Sequence, residues 1–347
     1  MEDVRTVMNS PRTLYERGVR VIEARIGLIS NNGPLLSHPG YFDMECQRRD
    51  PQIWNLHTSF PAVEGEKFDA EMDSYMAVID HPGPPPSILR TNDRLVFMGD
   101  VSRLEETCRD RRWTLFGNAG LFYMWTLLTL ERCRSIYSFH ASTVYREDTN
   151  ELLVMVGGPG AGKTVLMLEA LMHRGYQLFS TEMTHFRVHD DGVTFFKGSM
   201  FDNIRPGSLL VDFPDVPARL GLKLPHFENV WGTKIAVNFE KVQTRADRLE
   251  NPRVIILLPR IETGRQDVTI DRKVSEGKLR KALFDNLGEK ASAQLQLYDG
   301  RVSVAPLDTQ ALAQRRLEAA SALSGHPCIR QAVSILCGPQ HCWNWAE

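Results

Sequence analysis

Residues 157–164 read Gly157-Gly158-Pro159-Gly160-Ala161-Gly162-Lys163-Thr164, which satisfies the spacing G-x-x-x-x-G-K-[ST]. Glycines at these positions let backbone N–H groups turn inward around phosphate oxygens, where residues carrying a Cβ would obstruct them. Lys163 offers a point charge to the outer phosphates of a nucleotide, and Thr164 offers a hydroxyl to Mg²⁺. The flanks suit that chemistry. Leu152–Val156 is a short apolar run of strand type, and Thr164–Arg174 reads as a helix with Val165, Leu168 and Met172 on one face. Gly175 follows as its terminator.

The elements around this loop must hold it in place. Phe139–Tyr145 and Leu152–Val156 are separated by only Arg146–Glu151. That is too short for a parallel crossover, so the spacing predicts an antiparallel hairpin feeding the loop. This surrounding differs from the entry into the loop in Ras-like and RecA-like folds. After the helix, Tyr176–Ser180 reads as a strand ending at Thr181-Glu182, and Thr184–Val188 and Val193–Lys197 as a hairpin turning at His189–Gly192. Val254–Leu258 is a late buried strand, while Lys273–Asn286, Thr309–Leu323 and Cys328–Leu336 read as helices. Upstream, Val19–Ile29, Tyr75–Ile79 and Arg94–Met98 are strand candidates among turn-rich segments such as Asn31–Pro34, His38–Gly40 and His81–Pro86.

Three further groups sit where they can serve the loop. His140 begins the hairpin, Glu182 ends the strand after the loop helix, and Asp202-Asn203-Ile204-Arg205 follows. The order of His140-Ala141-Ser142, hairpin, Gly162-Lys163-Thr164, helix, and a strand closing on an acid resembles the catalytic domain of the HPr kinase/phosphorylase family. That family is similar in fold to phosphoenolpyruvate carboxykinase, and the resemblance spans roughly residues 113–260. It implies an α/β, HPr-kinase-like P-loop core occupying residues 106–347, with a β-rich amino-terminal region over 1–105 that packs on the core or helps form the acceptor site. It also implies ATP and Mg²⁺, and transfer of phosphate to a hydroxyl. Glu182, with His140, then orients or deprotonates that hydroxyl; Arg205 and Lys163 stabilise the transferring phosphate, and Thr164, Glu182 and Asp202 hold the metal. Two departures stand out. The family carries an acid where this chain has Thr181, and a glutamate where it has Asn203. Thr181 is no base at neutral pH, so the expected acceptor is a small hydroxylated molecule or a dedicated partner rather than HPr. A P-loop ATPase or nucleotide-gated regulator without kinase turnover is the alternative.

Bulk properties exclude other classes. Apolar residues make up 42% and charged residues 24%, with a net charge of −2, so nothing biases the chain toward nucleic acid or an anionic membrane. Cysteines 46, 108, 133, 328, 337 and 342 form no C-x-x-C pair, which argues against a disulfide framework. His326, Cys328, Cys337, His341 and Cys342 lack paired zinc spacing, so no structural zinc is expected. Met1-Glu2-Asp3 opens acidic with no apolar stretch behind it, so a cytoplasmic protein is expected. Trp113–Leu130 holds no charged residue, but its glycines, threonines and Asn118 dilute it, so it reads as a buried helix rather than a membrane span. No guanine-reading Asn-Lys-x-Asp or Thr-Lys-x-Asp follows the loop. Assembly of identical copies is compatible with the sequence.

Overall fold

The computed structural model describes residues 13–346 except 51, 52, 62 and 70, so the opening Met1-Glu2-Asp3 lies outside the described residues. The chain is a mixed α/β protein that divides into two compact units. Among the described residues, one unit takes those of 13–57, 62–134 and 291–308, and the other takes those of 58–61, 135–290 and 309–346. The division therefore falls after Arg134 rather than at 105/106. The reason is packing: the helix Leu121–Arg134 lies against a strand of the amino-terminal sheet.

The first unit is built on six strands: β1 (Tyr15–Val21), β2 (Ala24–Ser30), β3 (Val63–Glu66), β4 (Ser74–Asp80), β5 (Ser87–Arg90) and β6 (Arg94–Gly99). Their order is β3-β1-β2-β4-β6-β5, with β2, β4 and β6 parallel. The single strand expected over Val19–Ile29 is instead a tight hairpin. Ile22 adopts φ +56° at the turn, so the chain reverses within that stretch. The apolar stretch from Trp113 splits likewise, into a 3-10 turn at Arg111–Trp113 and a buried helix that starts only at Leu121. No helix among the described residues is long and apolar enough to cross a membrane. Two strands returning late in the chain, at Leu295–Leu297 and Val302–Val304, complete this unit.

The second unit carries the glycine-rich loop. Its nine-stranded sheet uses β7 (Tyr137–Arg146), β8 (Glu151–Val156), β9 (Gln177–Ser180), β10 (Met183–His189), β11 (Gly192–Phe196), β14 (Arg248–Glu250), β15 (Arg253–Ile261), β16 (Thr269–Asp271) and β19 (Ile329–Cys337). A separate ribbon pairs β12 (Phe201–Ile204) with β13 (Ile235–Asn238); β17 and β18 are the two late strands of the first unit. The expected hairpin is present: β7 and β8 are antiparallel from Ala141↔Val156 to Arg146↔Glu151. Asn150 turns the chain at φ +48° and accepts a hydrogen bond from the Tyr145 hydroxyl at 3.0 Å. β8, β15 and β19 then run parallel at the centre. A strand covered on both faces reads as an unbroken apolar run, as Leu152–Val156 does.

One sheet face packs against Leu279, Leu283 and Leu287 of the helix Glu276–Ala291 and against Ala319, Ala320 and Leu323 of the helix Gln310–Ser324. The other face receives the loop helix, Lys163–His173, whose buried side is Leu166–Leu168, Ala170 and Leu171. Val165 and Met172 are only partly buried, so the apolar stripe is rotated from the one expected. Cys328–Leu336 is corrected more sharply. It forms β19, not a helix, because β15 offers it a parallel ladder from Val254↔Ile329 to Ile261↔Cys337. Its β-branched residues suit that pleated surface.

Candidate phosphate-loop site

β8 ends at Val156, and the loop passes from it into the helix Lys163–His173. Gly160 and Gly162 adopt φ +79° and +93°, conformations that L side chains resist. At Gly162 space is also closed: a Cβ would lie 2.4 Å from the Ile261 side chain at the end of β15. The Ile261 amide donates to the Ala161 carbonyl at 3.0 Å, tying the loop to that strand. Gly162 is also the N-cap of the helix and supplies no side-chain cap, so the first amides of the helix lack partners within it.

Lys163 folds back over the loop, donating to the carbonyls of Gly157 at 2.6 Å and Gly158 at 3.1 Å. Burial pushes its ammonium below the ordinary lysine range, opposed by the charges of Glu289, Asp202 and Glu182. Thr164 donates its hydroxyl to Asp202 at 3.1 Å. Burial, with the neighbouring charge of Glu182, raises Asp202 to about 6, although Thr164 and the Asn203 amide bond its carboxylate. A carboxylate held in this way lacks a full counter-charge. That fits Mg²⁺, which takes one or two protein carboxylates and completes its shell with phosphate and water. No group of three or more His, Cys, Asp or Glu among the described residues forms an all-protein cage.

The raised Asp202 makes a stability prediction. An unfolded aspartate ionises near pH 4, whereas Asp202 holds its proton until about pH 6. Stability should therefore fall as pH rises between those values and stay lowered above pH 6, by on the order of 1–3 kcal/mol. Asp202→Asn should raise the melting temperature by several degrees at pH 8 and by little at pH 4. A variant equally stabilised at both pH values would contradict a strained carboxylate at this place.

Register brings the next groups together. Ala141 pairs with Val156 and Met183 pairs with His140, so His140 and Glu182 both lie beside the start of the loop. His140 is buried, and its Nδ1 lies 2.6 Å from Glu289 Oε1. A carboxylate only accepts, so Nδ1 carries a proton and donates it to Glu289, with Nε2 on the ring's other side. That Nε2 stands 3.8 Å from Glu182 Oε1, and Lys290 Nζ stands at the same 3.8 Å from that oxygen. Asn286 grips the His140 backbone both ways, accepting from its N–H and donating to its C=O at 3.0 Å each. Burial alone would raise Glu289, but the bond from His140 and the charges of His140, Lys290 and Lys163 hold it below the ordinary glutamate range.

Of the residues singled out from the sequence, Lys163, Thr164, Asp202, Glu182 and His140 gather around the loop's first turn. Arg205 is exposed, but it lines a cavity of about 210 Å³ together with Gly160–Val165, Asn203 and Lys234. Thr181 is turned away. Its hydroxyl donates to the carbonyls of Ser199 at 3.0 Å and Phe201 at 2.6 Å. Asn286, Glu289 and Lys290 are functional candidates that sequence reasoning passed over. Their i, i+3, i+4 spacing puts them on one face of the helix Glu276–Ala291, and that polar stripe was the available signal.

No family model matches this chain. Nor is any curated protein significantly similar to it. The case for function therefore stands on the site's own geometry.

Proposed function

We propose that this protein is an ATP- and Mg²⁺-dependent phosphotransferase with an HPr-kinase-like core, acting on a hydroxyl of a small molecule or a dedicated partner. The observation that carries the reading is the row Glu289–His140–Glu182 set beside the phosphate loop: a histidine oriented by one carboxylate, with its second nitrogen toward another. A nucleotide-binding scaffold alone has no need of such an array, whereas transfer to a hydroxyl needs a group that takes its proton. The six free thiols fit the reducing, cytoplasmic setting that the proposal assumes.

In this reading the backbone of 157–162 cradles the triphosphate, and Lys163 exchanges its two loop carbonyls for phosphate oxygens. Thr164 and Asp202, with Glu182 nearby, would hold the divalent cation, which when bound neutralises phosphate charge. Glu182 takes the acceptor's single hydroxyl proton, while His140, fixed by Glu289 and Asn286, stands with Nε2 beside that carboxylate and positions it. The acceptor oxygen bonds the γ-phosphorus as the bond to the bridging oxygen breaks, leaving ADP. Most of the rate comes from positioning and electrostatics.

Glu182→Gln preserves shape and removes the charge, and is expected to lower transfer by roughly 10²-fold or more. The test incubates the protein with γ-labelled ATP, Mg²⁺ and extracts of small hydroxylated metabolites or proteins, separating labelled product from inorganic phosphate. Label in an organic product that falls in Glu182→Gln supports the reading. Label released only as phosphate favours a P-loop ATPase or nucleotide-gated regulator, a second reading supported by the inward-turned Thr181, which leaves Glu182 as the lone acid of its pair. No consumption of ATP ends the transferase and the ATPase alike.

A further inference from the structure

Trp231 is 42% exposed although it is the largest apolar side chain on the cavity that the phosphate loop opens into. What lies beneath it is Gly207. A Cβ built on Gly207 would stand 2.5, 2.5 and 2.6 Å from Cδ2, Cε2 and Cε3 of the indole. These three atoms share the six-membered ring. A point equally distant from all three lies on that ring's axis, over its face and not at its edge. One face of the indole therefore rests flat against backbone at a residue with no side chain, which leaves the opposite face uncovered by Gly207. The ring's own backbone is also fixed. Asn229 accepts from the amides of Trp231 at 3.1 Å and Gly232 at 2.8 Å, and the Gly207 amide donates to the Val230 carbonyl at 2.8 Å. Polar groups share the cavity wall: Arg205, Ser208 and Lys234.

A flat aromatic ring, held from behind and joined by one cavity to a phosphate-binding loop, has the form of a stacking platform. We propose that Trp231 stacks the nucleobase of the nucleotide whose phosphates the loop 157–164 holds. The assignment rests on the nucleotide-binding part of the proposed function and adds the subsite for the base. Stacking on an aromatic face is tolerant of base identity, because every base presents a π-face. Trp231 is thus a source of affinity for adenine and guanine nucleotides alike, while phosphate contacts remain with the loop. Gly207 acts through Trp231: any side chain there lifts the indole from its seat.

The experiment measures binding of MgATP, MgGTP and magnesium tripolyphosphate to the full chain and to Trp231→Ala, Trp231→Phe and Gly207→Ala. Tripolyphosphate carries the charge without a base. Trp231→Ala is expected to weaken both nucleotides about 10- to 100-fold and to leave tripolyphosphate unchanged. Trp231→Phe should retain most of the affinity, and Gly207→Ala should lose it as Trp231→Ala does. In the unaltered protein, nucleotides should quench tryptophan fluorescence, and that quench should vanish in Trp231→Phe. Equal loss for tripolyphosphate and nucleotides in Trp231→Ala would overturn the base platform, as would full nucleotide affinity in that variant. Either result would leave the phosphate loop's role intact. Failure of the unaltered protein to bind any of the three would instead remove the proposed function itself.

Discussion

Lys163→Ala is expected to cut nucleotide-dependent turnover by about 10²- to 10³-fold, the range for losing one preorganised charge contact to a transferring group. The geometry explains why this residue should matter so much. Its ammonium is desolvated, and its two hydrogen bonds run to carbonyls of the loop it belongs to, so it is held over the place where phosphate would lie. Burial lowers its pKa, and the acids Glu289, Asp202 and Glu182 act against that shift, keeping charge in the site. Removing the ammonium takes away one of the charges that hold Glu289 below the ordinary glutamate range, so the Glu289 pKa should rise, with Lys290 and His140 still opposing that rise. The fold should survive, since a half-buried amine bound only to loop carbonyls contributes little to the core. Lys163→Met, which keeps the stem, should be as inactive as Lys163→Ala. Turnover within a few-fold of the unaltered protein would remove the loop from the reaction.

Much of this site was legible before any coordinates. The octet 157–164 is recognisable by its spacing, and glycine suits the positive φ values that Gly160 and Gly162 adopt. Arg146–Glu151 is too short for anything but a hairpin, and that hairpin's register sets His140 beside the loop. What the chain order conceals is contact at a distance. His140 and Asn286 are 146 residues apart, and nothing local marks Asn286, Glu289 and Lys290 as more than the polar face of a helix. The return of residues 291–308 to the first unit is concealed for the same reason. β19 misleads differently. Ile329, Val333 and Leu336 fall at helical spacing, yet Val333, Ile335 and Cys337 alternate into the core once β15 supplies a ladder. Tertiary pairing overrides a local period that fits either state.

Thr181→Asp restores the acid that the HPr kinase/phosphorylase family carries, and it is expected to destabilise the protein by about 3 kcal/mol or more instead of enhancing it. Thr181 is buried, at 2% exposure, and its hydroxyl proton points at the carbonyl oxygens of Ser199 and Phe201. An aspartate there presents two more acceptors to two existing ones, with no proton between them. Thr181→Val, which keeps the volume, should cost only about 1 kcal/mol. Both carbonyls keep another donor: the Thr181 amide on Ser199 at 2.7 Å, and the Ser199 hydroxyl on Phe201 at 2.9 Å. The pH dependence separates charge from shape. Once protonated, the introduced carboxyl could donate as the threonine does, so its folded pKa must lie above the unfolded value near 4, and the deficit should open as pH rises from there. Denaturant midpoints for the two variants at pH 4 and pH 8 measure this. A stable Thr181→Asp protein with increased phosphate transfer would place a working acid at this position and overturn the structural role assigned to the threonine. A deficit that is large at pH 8 and mostly recovered at pH 4 would mean that this chain has given that position to its backbone, leaving Glu182 as the acid facing the loop.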